Sequence, residues 1–147
     1  MNQVVVKQEK SGYQIVEAYK SLRTNLQFCG EDKKVIAITS CTPNEGKSSV
    51  SMQLGISLAE IGKRVILIDA DLRKSVLLGR TKTEKSVRGL AHFLSGQASL
   101  EDVICATNIK NFYMIYSGPF PPNPAELLGG KNFRSLLNAL RKVYDYV

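Results

Sequence analysis

The sequence is short of the residues that build metal and disulfide scaffolds. Its three cysteines, Cys29, Cys41 and Cys105, form an odd, scattered set without a C-x-x-C pair, which argues against a disulfide framework and against a thiolate zinc site. The single histidine, His92, argues against a His-based metal centre in the same way. No apolar run approaches the length of a bilayer span, and the polar start MNQVVVKQEK has no signal-peptide core, so the chain is expected to stay in the cytosol. The sequence shows no internal repeat. Its net charge is +7, but Lys and Arg are spread along the chain rather than packed into a tract, and no basic helix has base-reading spacing. A nucleic-acid partner is therefore not expected.

What is present fits an ordinary globular protein. At 147 residues, with 44% hydrophobic and 22% charged residues, the chain can bury a real core as one domain, 1–147, with residues 1–12 expected to be flexible. Ile15, Tyr19, Leu22 and Leu26 recur at helical spacing between Tyr13 and Phe28, and Gly30 supplies a stop. Lys34–Thr39 reads as a strand covered on both faces. A helix is expected from about Gly46 to Ile61, burying Val50, Leu54, Leu58 and Ile61, and RVILIDAD follows as a second apolar strand. Strand, loop, helix, strand from Val35 to Ile68 implies a right-handed parallel crossover.

After Arg73 the stretch KSVLLGRTKTEKSVRG is too polar for a core element and reads as a functional loop. GLAHFLSG and SLEDVI read as short helices, the second opened by Ser99 with Asp102 three residues on, and FYMIYSG as a third strand. Asn123 and Pro124 open another helix, Lys131–Val143 is amphipathic, and YDYV begins a further strand. The alternation predicts an α/β fold with a doubly wound, mostly parallel sheet and ligand chemistry at the C-terminal ends of its strands.

The stretch TSCTPNEGKSS, between a strand and a helix, carries the strongest chemical signal. Gly46-Lys47-Ser48 fits the end of a phosphate-binding loop, in which backbone N–H groups from Pro43 to Ser49 surround phosphate oxygens. The cofactor-binding set is thus Pro43, Asn44, Glu45, Gly46, Lys47, Ser48 and Ser49, with Lys47 reaching the terminal phosphates and Ser48 offering its hydroxyl to Mg²⁺. The motif is deviant, because Cys41 stands where the first glycine is usual. The competing reading is a strand-to-helix turn with a surface lysine. Asp69 and Asp71, two apart at the end of the next strand, point to one side and complete the candidate set. One carboxylate can support Mg²⁺ through water, and the other can orient an attacking hydroxyl or take its proton. Their competing reading is a pair of turn acids paired with Arg73.

TSCTPNEGKSS followed by VILIDADLR resembles the Walker A and Walker A′ motifs of bacterial tyrosine kinases of capsular and exopolysaccharide synthesis. EAYKSLRTNLQF is similar to the family's N-terminal helix, and SGPFPPNPAELL to a segment upstream of its last catalytic strand. The likeness runs from about Glu17 onward. It implies a P-loop NTPase-like fold using ATP and Mg²⁺, leaving ADP, to phosphorylate protein tyrosines, including its own. By position, Lys47, Asp69 and Asp71 would be catalytic, with Ser48 and Asp71 on the metal and Asp69 as the base. Glu17, Lys20 and Arg23 fall where the family has an E-x-x-R-x-x-R pattern that joins neighbouring copies in a homo-oligomeric ring, and Lys20 replaces its first arginine.

The family's Walker B aspartate and tyrosine tail do not follow YDYV. The resemblance thus implies a kinase domain incomplete at its C-terminus, with an exposed sheet edge beside Tyr144–Val147, that binds ADP–Mg²⁺ and transfers phosphate poorly. The six tyrosines fall in helix or strand patterns and read as packing residues rather than phosphoacceptors. Members without a membrane span are activated by the cytosolic tail of a membrane-anchored partner, which would hold this chain at the inner face of the membrane. Two alternatives stay open: a partition- or division-site-type ATPase, whose signature lysine is Thr42 here, and a nonenzymatic nucleotide-binding regulator of polysaccharide export.

Overall fold

Residues 1–8, 10–83 and 86–147 are described by a computed structural model of the chain. In order they form β1 (Asn2–Val6), α1 (Tyr13–Phe28), α2 (Lys47–Glu60), β2 (Val65–Ile68), a 3-10 turn at Leu78–Arg80 and β3 (Thr81–Lys82). Then follow α3 (Leu90–Leu94), α4 (Leu100–Val103), β4 (Cys105–Thr107), β5 (Phe112–Ile115), α5 (Pro124–Gly129) and α6 (Lys131–Val143). The strands lie in the order β2-β5-β4-β1-β3. β2 pairs parallel with β5 from Val65↔Phe112 to Ile68↔Ile115, and β1 pairs parallel with β4. The β4–β5 and β1–β3 pairings are antiparallel.

Unbroken apolar runs such as Val65–Ile68 form strands buried on both faces, where successive side chains enter opposite layers. Val65 and Met114 join a cluster with Met52, Leu54, Ile56 and Leu58 of α2. Their neighbours Ile66 and Ile115 join a second cluster with Leu90, Leu94, Val103, Leu136 and Leu140 from α3, α4 and α6. Helices therefore cover both faces, as the doubly wound reading requires. Ser99 and Asp102 do form the expected capping box, with the Ser99 N–H donating to Asp102 Oδ2 at 2.9 Å.

Several expectations change. Lys34–Thr39 does not form a regular strand; it joins the sheet through Val147, which donates to the Lys34 carbonyl and accepts from the Ile36 N–H, both at 2.8 Å. On the other flank Asp145 and Tyr146 donate to the Arg64 carbonyl and Ile66 donates to Tyr146, a parallel bridge at Val65↔Tyr146. Tyr144–Val147 is therefore flanked on both sides and is not the exposed edge expected of it, because the crossover places β2 and the Lys34 segment on either side of it. The start of the chain is not uniformly flexible either: Asn2–Val6 is a strand, and Val4 and Val6 are each 2% exposed. The polar stretch after Arg73 contributes buried Leu77 and the short strand β3, while its residues 84–85, like residue 9, lie outside the described residues. On α1 only Tyr19 and Leu26 of the apolar stripe pack on the core; Ile15 and Leu22 are exposed, as is Ile61 after α2. Tyr116, Tyr144 and Tyr146 are packing residues, but Tyr13 is 79% exposed.

If β1 is an integral strand, Val4→Ala should lower unfolding free energy by about 1.5–3 kcal/mol through lost apolar burial. The expected outcome is a lower urea midpoint with an unchanged slope; a flexible N-terminus would leave the midpoint where it was.

Candidate functional site

The turn into α2 uses left-handed backbone at Asn44 (φ 61°) and at Gly46 (φ 84°), a conformation those residue types adopt most readily. Gly46 is the N-cap, and the Val50 N–H is bonded to its carbonyl at 2.9 Å. The N–H groups of Lys47, Ser48 and Ser49 come before that bond, and a helix offers its first turn of donors no internal acceptor. Together with the positive end of the helix dipole they make an anion site. The loop is braced by Ser40 Oγ donating to the Thr42 carbonyl at 3.0 Å and by Thr42 Oγ1 donating to Glu45 Oε1 at 2.5 Å. The Thr42 hydroxyl holds the Glu45 carboxyl below its ordinary range.

Lys47, Ser48, Asp69 and Asp71 line one cavity of about 480 Å³ between Val35–Thr39 and Ile66–Asp71. Four candidate residues from two separate segments are thereby brought together. Pro43, Asn44, Glu45 and Gly46 form the exposed loop beside the cavity. Ser49 does not line that cavity; its hydroxyl, on the first turn of α2, accepts from Arg80 Nη1 at 2.5 Å. Among the described residues no three His, Cys, Asp or Glu side chains cluster as a metal cage. One hydroxyl and two carboxylates on a shared cavity suit Mg²⁺, which keeps much of its water and takes phosphate oxygens as its other ligands.

Asp69 ends the β2–β5 ladder, its N–H bonded to the Ile115 carbonyl at 2.8 Å. Its Oδ1 accepts from the Asp71 N–H at 3.2 Å and its Oδ2 accepts from the Ser75 hydroxyl. Burial pushes its carboxyl above the ordinary aspartate value, against the pull of the Ser75 hydroxyl and the Asp71 N–H. Asp71 Oδ1 accepts from the backbone N–H groups of Arg73 at 3.2 Å and Lys74 at 2.9 Å. Asp71 is thus both turn cap and cavity wall, and Arg73 steadies it through its backbone rather than its guanidinium.

The α1 set lies apart from the cavity. Glu17 and Lys20 pair with each other at 3.0 Å on an exposed flank. Arg23 turns inward, donating to the Ser57 carbonyl at 2.8 Å and its hydroxyl at 3.2 Å on α2. Ser75 and Arg80 are site-adjacent residues that the sequence reading did not single out; both lie in the polar stretch after Arg73, which has no periodicity to mark them.

A helix N-terminus facing acidic strand ends across an open α/β sheet defines a phosphate-loop protein of the doubly wound class. The chain belongs to the AAA domain family, which it matches over residues 33–147. It is 43% identical over 131 residues to tyrosine-protein kinase CpsD of Streptococcus agalactiae, covering 89% of this chain and 57% of that protein. The BceF tyrosine kinase domain superposes with a TM-score of 0.81 at 42% identity, over 90% of this chain and 53% of that one. The septum site-determining protein MinD of Pyrococcus horikoshii, solved with Mg-ADP, gives a TM-score of 0.62 at 28% identity, over 77% and 46%. The chain therefore spans little more than half the length of that streptococcal relative.

The Asp69 environment sets a pH dependence. The folded chain holds that proton more tightly than the unfolded chain, so the carboxyl's unfavourable contribution grows as pH rises from the ordinary aspartate range through the raised one. Asp69→Asn should raise the melting temperature at pH 7, and the advantage should shrink as pH falls below that range. Thermal melts between pH 3 and 8 read both; an Asn variant that is less stable at pH 7 would contradict the assignment.

Proposed function

We propose that the chain is the nucleotide-binding domain of a bacterial protein-tyrosine kinase that uses ATP and Mg²⁺ and regulates capsular or exopolysaccharide synthesis. The observation that carries this reading is the convergence of Lys47, Ser48, Asp69 and Asp71 on one cavity at a helix N-terminus. Tyrosine kinases among its relatives and the order of its four motifs support it. The first-turn N–H groups and Lys47 hold the phosphates, and Ser48 and Asp71 are the residues that would hold Mg²⁺. When bound, that ion supplies neutralisation of phosphate charge. Asp69 orients the tyrosine hydroxyl and takes its proton as the γ-phosphoryl leaves ADP and joins the phenolic oxygen. A carboxyl already pushed upward by burial suits that task better than an ordinary aspartate.

Among the described residues no helix is long and apolar enough to cross a membrane. In this proposal a membrane-anchored partner with a cytosolic tail holds and activates the chain at the inner membrane face. Its copies associate through α1, with Glu17 and Lys20 exposed for that purpose and Arg23 shared with α2.

The likeness to MinD with Mg-ADP favours a second reading, an ATPase. One experiment separates the two. Incubation with γ-labelled ATP and Mg²⁺ should place label on tyrosine; free phosphate alone would mean ATPase, and bound unreacted nucleotide a regulator. Lys47→Met should weaken ADP binding about tenfold or more in calorimetry, because a charge-assisted contact worth about 1.5–3 kcal/mol is replaced by an apolar one. Unchanged affinity would remove the phosphate-loop assignment.

For the assembly, Glu17→Ala leaves α1 packed and should shift nucleotide-bound oligomers toward monomers in light scattering. Wild type that stays monomeric at high concentration with nucleotide would sink the ring.

A further inference from the structure

Arg80 approaches the phosphate loop from a part of the chain that neither the loop nor the paired aspartates include. Its backbone is fixed from three directions. The Arg80 N–H donates to the Leu77 carbonyl at 3.0 Å, the Lys7 N–H donates to the Arg80 carbonyl at 3.3 Å, and the next residue, Thr81, pairs with Val6. Leu77 is buried, and Thr81 Oγ1 accepts from the buried Tyr116 hydroxyl at 2.7 Å. From this anchored position the side chain crosses to α2, where Nη1 donates to Ser49 Oγ at 2.5 Å. Among the described residues no carboxylate pairs with the guanidinium. Its other N–H donors and its charge are left beside the first turn of α2.

We propose that Arg80 is a second cation of the nucleotide site, bound to the α/β-phosphate end of a nucleoside di- or triphosphate while Lys47 serves the β/γ end. The inference rests on the phosphate-loop reading of Pro43–Ser49. The direction follows from the order of the loop. Lys47 and Ser48 serve the terminal phosphates and metal, the loop's N–H groups cradle the α- and β-phosphates, and Arg80 stands on the residue after Ser48. A planar fork of donors on a fixed backbone suits phosphate oxygens better than a mobile ammonium does. Ser49 then acts as the ledge that aims the fork, and β1, which holds Arg80 through Lys7 and Val6, becomes part of the site's support.

The test is calorimetric titration of the whole chain with ADP and with ATP, in wild type and in Arg80→Ala, Arg80→Gln and Arg80→Lys. Arg80→Ala should weaken both nucleotides by the same factor, about tenfold or more. Arg80→Lys should recover part of the loss. Arg80→Gln, which can still bond Ser49 but carries no charge, should be as weak as Ala. Unchanged ADP affinity in Arg80→Ala, full recovery in Arg80→Gln, or a loss confined to ATP would each overturn the assignment. Lys47→Met, run beside them, keeps the two readings apart: if it binds normally the phosphate loop itself fails, whereas an Arg80 result alone leaves the loop standing.

Discussion

Val147 gives one backbone hydrogen bond to Lys34 and takes one from Ile36, while Tyr146 takes one from Ile66 and gives one to Arg64. These bonds set the lateral distance between the segment that feeds the phosphate loop and the strand that carries the aspartates. Neighbouring strands lie about 4.8 Å apart, so two segments with one chain between them stand roughly 10 Å apart. Lys47 and Ser48 on one flank and Asp69 and Asp71 on the other line one cavity of about 480 Å³.

The height of the loop over the sheet is set by packing. An added Cβ at Gly55 of α2 would stand 2.6 Å from Phe112 Cε2 in β5, so only a residue without a side chain lets the helix rest so close to the sheet. Phe112 is itself 1% exposed and fixed in the parallel ladder opposite Val65. The start of α2, and with it the N–H groups of Lys47 to Ser49, follows from that contact. Arg23 adds a second tie, from α1 to the Ser57 carbonyl on the same helix. The anion site is therefore positioned by a glycine–phenylalanine contact and an arginine, none of which touches a phosphate.

The parts of this arrangement that could be read in the sequence are those written in local pattern. β2, β5, α2 and α6 announce themselves by unbroken apolar runs or helical period, and Gly46-Lys47-Ser48 by residue type and context. Asp69 and Asp71 could be placed because they end a recognisable strand. β1, β3 and β4 could not: β3 and β4 span only two and three residues, and the pairing of all three joins positions far apart, as Val5 joins Lys82 and Asn2 joins Cys105. Their existence depends on partners that no local window contains. Arg80 was hidden for the same reason, since an arginine in a polar stretch gains a role only once β3 is bonded to β1, and Ser75 because nothing in the local pattern pairs its hydroxyl with Asp69. The inward turn of Arg23 was likewise invisible, because helical spacing placed it beside the apolar stripe without showing which side α2 would take.

Charge balance explains why the site is incomplete by itself. Among the described residues the Lys47 ammonium has no carboxylate in salt-bridge contact, and the first-turn N–H groups have no acceptor within the helix. Across the cavity Asp69 is desolvated and stands near Asp71, and both effects raise its pKa. An isolated buried charge is costly, and two like charges sharing a cavity add to that cost. A polyphosphate entering alone would satisfy Lys47 and the N–H groups but bring more negative charge towards the aspartates. A divalent cation entering alone would suit the aspartates but stand against the positive helix end. In the proposed nucleotide and metal site each ligand would relieve the repulsion the other meets, which would link the two binding events thermodynamically, each raising affinity for the other by the same factor. An arginine at the loop's flank, as proposed for Arg80, would add to nucleotide affinity rather than to that linkage, because it offsets phosphate charge whether or not the metal is bound.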